Sequence, residues 1–264
     1  MANALQPAFC SEMAGPVWAA YRERAKTLRK SAPKPLLTKY LEVLSIQESL
    51  SSHLHRILAA RQPEPERALL ACFDASALQP LLAEAHRGVA ECGLIVTPLD
   101  SLKSLDDLWH QVENFEYPAD FPARLVFEVF ATEISDWPHR EIEAPAGCCP
   151  HCGFGVLCSV LREEGMGRRR LGSCSLCSSE WAVPRLGCLR CGEQDPEKRP
   201  IFNFEDWPHI RVEACDSCGG WLKSLEMTKD AEALPMPDDV ASSAINLWAS
   251  GRGYKSIGNH LFGL

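Results

Sequence analysis

The sequence predicts an α+β protein: a helical N-terminal domain, two tandem metal-knuckle ribbons, and a C-terminal helix. Three observations carry this reading. Apolar residues recur at three- and four-residue spacing through much of residues 1–147. That periodicity stops near Ala144, where Gly, Pro and Cys become frequent. Ten of the 13 cysteines lie between Cys148 and Cys218, a stretch of 71 residues.

The helices follow in order. Trp18, Tyr21, Ala25 and Leu28 mark one face of the first. Leu37, Leu41, Leu44, Leu50, Leu54, Ile57 and Leu58 mark the second. Pro33 and Pro35 separate the two, and Pro63 with Pro65 close the second. Further helices are expected over 76–91, 101–114 and 122–137. Asp120 and Pro122 suit the start of the last, and Pro138 its end. These helices read as a bundle core without chemistry of its own, and Cys10, Cys72 and Cys92 as ordinary thiols. Beyond residue 144, strands are expected over 168–173 and 210–214, each leading into a cysteine pair. A final helix is expected from Asp238 to Ser250, with Asp238 and Asp239 in its first turn and Gly251 at its end.

Charge and hydropathy exclude several classes. Residues 1–147 carry 14 Lys+Arg against 20 Asp+Glu, and residues 148–264 carry 13 against 15. Neither part is basic, which weighs against general nucleic-acid binding. The longest uncharged run, 144–161, holds two Pro, three Gly, one His and four Cys, which is loop chemistry rather than a membrane span. The opening MANALQPAFCSEMAG has neither a basic nor an apolar leader pattern, so a cytoplasmic protein is expected. In that compartment paired cysteines more often hold metal than form disulfides.

The cysteines form four C-x-x-C pairs: Cys149/Cys152, Cys174/Cys177, Cys188/Cys191 and Cys215/Cys218. Two intervening residues let a tight turn aim both sulfurs at one ion, and two such turns complete a tetrahedral S₄ shell. Gly153 and Gly192 follow the first and third pairs, where such a turn needs positive φ. The pairs also form a repeat. Equivalent pairs sit 39 and 41 residues apart, and gaps of 21 and 23 residues inside each unit are long enough for a β-hairpin. Sequential pairing gives two similar ribbons with one metal each; interleaved pairing would break the repeat symmetry and stays open at this point. Iron and zinc both suit such shells. With divalent ions in both, the formal charge of −8 becomes about −12.

Cys148 and Cys158 fall outside the repeat, and His151, His209 and Asp216 are expected to face solvent. Arg162, Arg168, Arg169, Arg170, Arg185 and Arg190 form a locally basic run. It reads equally as a partner surface or as compensation for thiolate charge. A closed S₄ shell leaves no open coordination position, and no nucleophile triad or phosphate loop stands out, so no enzyme is expected.

The motifs CPHCG at 149–153, LGSCSLCSSEW at 171–181, RLGCLRCG at 185–192 and RVEACDSCGGWLK at 211–223 resemble the formate dehydrogenase accessory protein (FdhE) family. PDDVASSAINLWASGRGY at 237–254 is similar to that family's closing helix and Gly-Tyr. Residues 1–147 match only in being helical. The resemblance implies two rubredoxin-like knuckles ligated by the eight paired cysteines and associated with iron. It implies a cytoplasmic helper that engages the catalytic subunit of a respiratory formate dehydrogenase before export or assembly. The corresponding divisions are 1–145 helical, 146–184 first ribbon, 185–228 second ribbon, and 229–264 C-terminal helix and tail. No membrane partner is expected; a homodimer is compatible with this reading. Two other functions fit the ribbons: a zinc-ribbon nucleic-acid module and a rubredoxin-like electron carrier.

Overall fold

The computed structural model describes residues 17–30, 34–58, 78–94, 120–137, 141–165 and 167–263. The expected helix over 101–114, Pro63, Pro65, Cys10 and Cys72 lie outside these residues.

Helix α1 (Val17–Leu28) buries Trp18, Tyr21, Ala25 and Leu28, the face its spacing marks. Helix α2 (Lys34–Leu58) carries Pro35 in its first turn, where a missing N–H costs nothing. It buries Leu37, Tyr40, Leu44, Leu50 and Leu54 completely. Helix α3 is Gln79–Glu91 and α4 is Phe121–Glu133. Every residue from Phe121 to Ala131 in α4 is buried, so it is the central helix and not an amphipathic surface one. Asp120 sits at its cap position but its side chain does not cap it. The helix ends four residues before the predicted Trp137. There Ser135 and Trp137 donate their N–H groups to carbonyls three residues back, tightening the chain out of α geometry.

The remainder builds one seven-stranded sheet. The first unit supplies β1 (Val156–Glu164), β2 (Gly167–Cys174) and β3 (Glu180–Ala182). The second supplies β4 (Ile201–Phe204), β5 (Trp207–Cys215) and β6 (Gly220–Glu226). Each unit is an antiparallel meander, and the order across the sheet is β3-β2-β1-β6-β5-β4. The units join by a parallel β1–β6 contact that pairs Ser159 with Ser224 and Leu161 with Glu226. The first strand of one unit thus meets the third strand of the other. Both strands are buried along most of their length, as parallel neighbours require, and the Ser159 and Ser224 hydroxyls hydrogen-bond across the seam.

The chain closes with α5 (Pro235–Ala241), α6 (Ser243–Gly251) and β7 (Lys255–Ser256), which pairs with β6. The single helix expected from Asp238 is therefore two, starting three residues earlier and broken at Ser242. The Ser242 hydroxyl donates to the Asp238 carbonyl at 2.7 Å, the back-bonding that bends helices. One apolar core joins α1–α4 and α5 to the first cysteine unit; a second packs Ile210, Val212 and Trp221 of the sheet against Ile245 and Ala249 of α6. Among the described residues, no helix is long and apolar enough to cross a membrane.

Candidate metal centres

The four cysteine turns share one backbone plan. The N–H of the first cysteine donates to the carbonyl five residues on, at 2.8 Å for Cys149–Phe154 and 2.9 Å for both Cys174–Ser179 and Cys188–Glu193. The residue after the second cysteine turns back with positive φ: Gly153 (82°), Ser178 (59°), Gly192 (77°) and Gly219 (65°). Ser178 is the one non-glycine residue with positive φ among the described residues. Its hydroxyl accepts a 3.1 Å hydrogen bond from Tyr21 of α1, so the helical domain grips the turn that would otherwise favour glycine. Turn amides also aim at sulfur: Leu176 and Cys177 donate to Cys174 Sγ at 3.3 and 3.4 Å, and Arg190 to Cys188 Sγ at 3.4 Å.

These turns gather the eight sulfurs sequentially. Cys149, Cys152, Cys174 and Cys177 form one group, and Cys188, Cys191, Cys215 and Cys218 the other, each with all sulfurs within 4.8 Å of one another. Interleaved pairing is thereby excluded. The cross-turn contacts Cys149–Cys177, Cys152–Cys174, Cys188–Cys218 and Cys191–Cys215 span 3.6, 3.5, 3.7 and 3.6 Å. A tetrahedron with metal–sulfur bonds of about 2.3 Å has edges of about 3.8 Å. The donor sets therefore fit a thiophilic ion.

The surroundings of the two groups differ. All four sulfur residues of the first are buried in the main core. Arg124 of α4 donates to the Ser175 carbonyl and lies over the Phe154 ring at 4.6 Å; Thr132 donates to the Leu176 carbonyl at 3.2 Å. In the second group Cys191 is exposed and Cys218 partly exposed. Cys148 is partly exposed beside the first group, whereas Cys158 is fully buried on β1.

A helical domain carrying a continuous sheet that ends in two paired-turn Cys₄ clusters defines the class: a two-knuckle, rubredoxin-like metal-site protein. Within that class, residues 186–262 match the FdhE C-terminal domain. A Protein FdhE homolog of Haemophilus ducreyi is 28% identical, over 92% of this chain and 88% of that protein. One of Pseudomonas putida is 36% identical over 44% of this chain and 39% of that protein. The crystal structure of the FdhE protein from Pseudomonas aeruginosa has the same fold, with a TM-score of 0.68 at 18% identity, covering 93% of this chain and 95% of that one. The likeness to FdhE proteins is thus one of fold along most of the chain and of sequence motif over the second cysteine unit and the closing helices.

One of the three solvent-facing expectations is overturned. His209 is buried and not solvent-facing: its Nε2 is 2.8 Å from Asp238, because β5 turns it toward α5. Asp216 is exposed and accepts the Tyr254 hydroxyl at 2.6 Å; His151 is partly exposed. Four arginines of the basic run pair with carboxylates: Arg162 with Glu180, Arg168 with Glu226, Arg169 with Glu164, and buried Arg170 with Glu213.

Sequence reasoning missed a buried charge network. Asp238 and Asp239 look like helix-start residues, yet both are buried. Asp238 takes two bonds from Arg24 of α1, at 2.9 and 2.6 Å, besides His209. Asp239 accepts from Lys223 at 2.9 Å and faces His260, whose Nε2 meets Ser256 at 2.9 Å. That last chain has the order of a nucleophile triad. Its geometry is that of a strap: the Ser256 hydroxyl also donates to the Gly258 carbonyl, and His260 lies buried, stacked on Trp221.

One buried group is poorly served. Glu128 in α4 is fully buried, with Arg124 and Gln47 as polar neighbours but no well-formed hydrogen bond to either oxygen among the described residues. Burial pushes its pKa up to about 7, and Arg124 at 3.9 Å opposes this only in part. The folded chain therefore holds a proton that the unfolded chain releases near pH 4.5, so stability falls as pH rises from there through 7. Glu128→Gln should raise stability by about 1–3 kcal/mol at pH 8 and hardly change it at pH 4, read from urea midpoints.

Proposed function

We propose that this chain is an accessory protein for biogenesis of a formate dehydrogenase, engaging the catalytic subunit in the cytoplasm before export or assembly. The observation that supports this most is the presence of both Cys₄ clusters within a fold and sequence shared along most of the chain with FdhE proteins. In this reading the eight cysteines hold two ions, iron or zinc. Each closed shell shapes its ribbon, and neither offers an open position for substrate. The chain acts by binding, not by catalysis. The arginine run, which motivates a nucleic-acid reading, is largely engaged by glutamates, and that weakens the alternative.

Affinity purification of the tagged chain from its native host is the test. The catalytic subunit of a formate dehydrogenase should co-purify, and deletion should lower formate dehydrogenase activity. Absence of that subunit together with unchanged activity would overturn the reading.

A further inference from the structure

The two centres are built from one repeat but are not equally enclosed. The first is sealed by helices: Tyr21, Arg124 and Thr132 bond to residues 178, 175 and 176 of its second turn, and its four cysteines belong to the main core. The second shares none of these contacts among the described residues. Its cysteines lie outside every apolar core, Cys191 is exposed, and the neighbouring Arg190 and Gly192 are exposed too. Turn distances and sulfur spacings are alike in both, so the sulfur sets themselves do not distinguish the centres.

We propose that the second centre is the site of metal entry and exit, with Cys191 the leading sulfur, and that the first is a closed centre that does not exchange while the chain is folded. The inference rests on the proposed Cys₄ ligation and adds a division of roles to it. The reason is access. Ligand exchange needs an incoming donor to reach the ion as one sulfur leaves. At the second centre, a fluctuation of the exposed 190–192 stretch frees Cys191 while Leu189 stays in its small core. At the first, it must separate α1 and α4 from the sheet, an opening close to global unfolding. The step involves no redox change. The Cys191–metal bond breaks, a donor from the incoming chelator takes that position, and the freed thiolate stays in solvent or takes a proton from water.

The test uses the full chain saturated with zinc. Excess EDTA is added, released zinc is followed by loss from the protein fraction, and aliquots are quenched with N-ethylmaleimide for peptide mapping. Release should come in two phases of one ion each, with rates separated by roughly tenfold or more. The cysteines alkylated during the fast phase should be Cys188, Cys191, Cys215 and Cys218. Cys191→Ser should abolish the fast phase and leave the slow one; the mapping on the unaltered chain gives the same answer without a variant. Release of both ions at one rate, or fast alkylation at Cys149, Cys152, Cys174 and Cys177, would overturn the division of roles. Saturation below two ions per chain would instead overturn the ligation on which it stands.

Discussion

Replacing Cys174 and Cys177 together with serine should remove one metal ion per chain and unfold the helical domain along with the first ribbon. The reason lies in where this turn sits. Both sulfurs are buried in the core that also contains Trp18, Leu44, Leu82 and Phe130 of the four helices. The backbone between and after them is held by Arg124, Thr132 and Tyr21. Structural zinc in zinc-finger peptides contributes about 10–16 kcal/mol of apparent folding free energy near pH 7. That equals or exceeds the net stability of about 5–15 kcal/mol typical of a whole protein. Without the ion, two thiols and two serine hydroxyls remain packed against the helices with no metal to order them. The variant should show no cooperative thermal transition and rapid proteolysis within α1 and α2. The matching change at the second centre, Cys215 and Cys218 to serine, should cost one ion yet leave a cooperative melt of the helical core. Equal melts for the two double variants would contradict this asymmetry.

The second large effect is expected at Arg24. Its guanidinium bridges Asp238 and Asp230 at 2.6 Å to each and ties α1 to the start of α5 across more than 200 residues of sequence. Arg24→Ala leaves the Asp238 carboxylate buried with only His209 and the Leu234 amide as partners. Breaking a buried pair from one side costs about 3–5 kcal/mol, enough to lower a thermal midpoint by many degrees. The pH dependence carries a second signature. Burial alone would raise the pKa of Asp238, but bonds from His209 and Arg24 outweigh it and hold the carboxyl below its ordinary value. At Asp239 burial is likewise outweighed, there by His260 and Lys223. Depressed carboxylates stabilise fully above the unfolded value near pH 3.8, and that contribution is lost as pH falls through the folded values. The unaltered chain should therefore lose stability steeply below about pH 4. Arg24→Ala should show a shallower acid limb, since Asp238 then loses the partner that lowers its pKa. Parallel acid limbs would contradict the assignment.

The parts of this structure that a single sequence reveals are those with local periodicity. Trp18, Tyr21, Ala25 and Leu28 announce α1 because one face repeats every turn. The cysteine spacing announces two turns per centre because the geometry of C-x-x-C is confined to a few residues. Three features were not legible. The parallel β1–β6 seam joins strands 65 residues apart through Ser159 and Ser224, small polar residues with no pattern to mark them. The burial of Asp238, Asp239 and His209 depends on partners, Arg24, Lys223 and His260, that are distant in sequence. The unequal enclosure of the centres is invisible in a repeat whose two halves have nearly the same motif; it arises from which half the helices cover. Ser178, where three equivalent positions carry glycine, is the one local hint of that difference.

The most direct test of the account is the metal content and coordination of the full chain purified without added metal and again after anaerobic loading with iron or zinc. Two ions per loaded chain are predicted, each with four sulfur ligands and, for zinc, metal–sulfur distances of about 2.3 Å by X-ray absorption. One ion or none, or a shell containing nitrogen or oxygen, would contradict it.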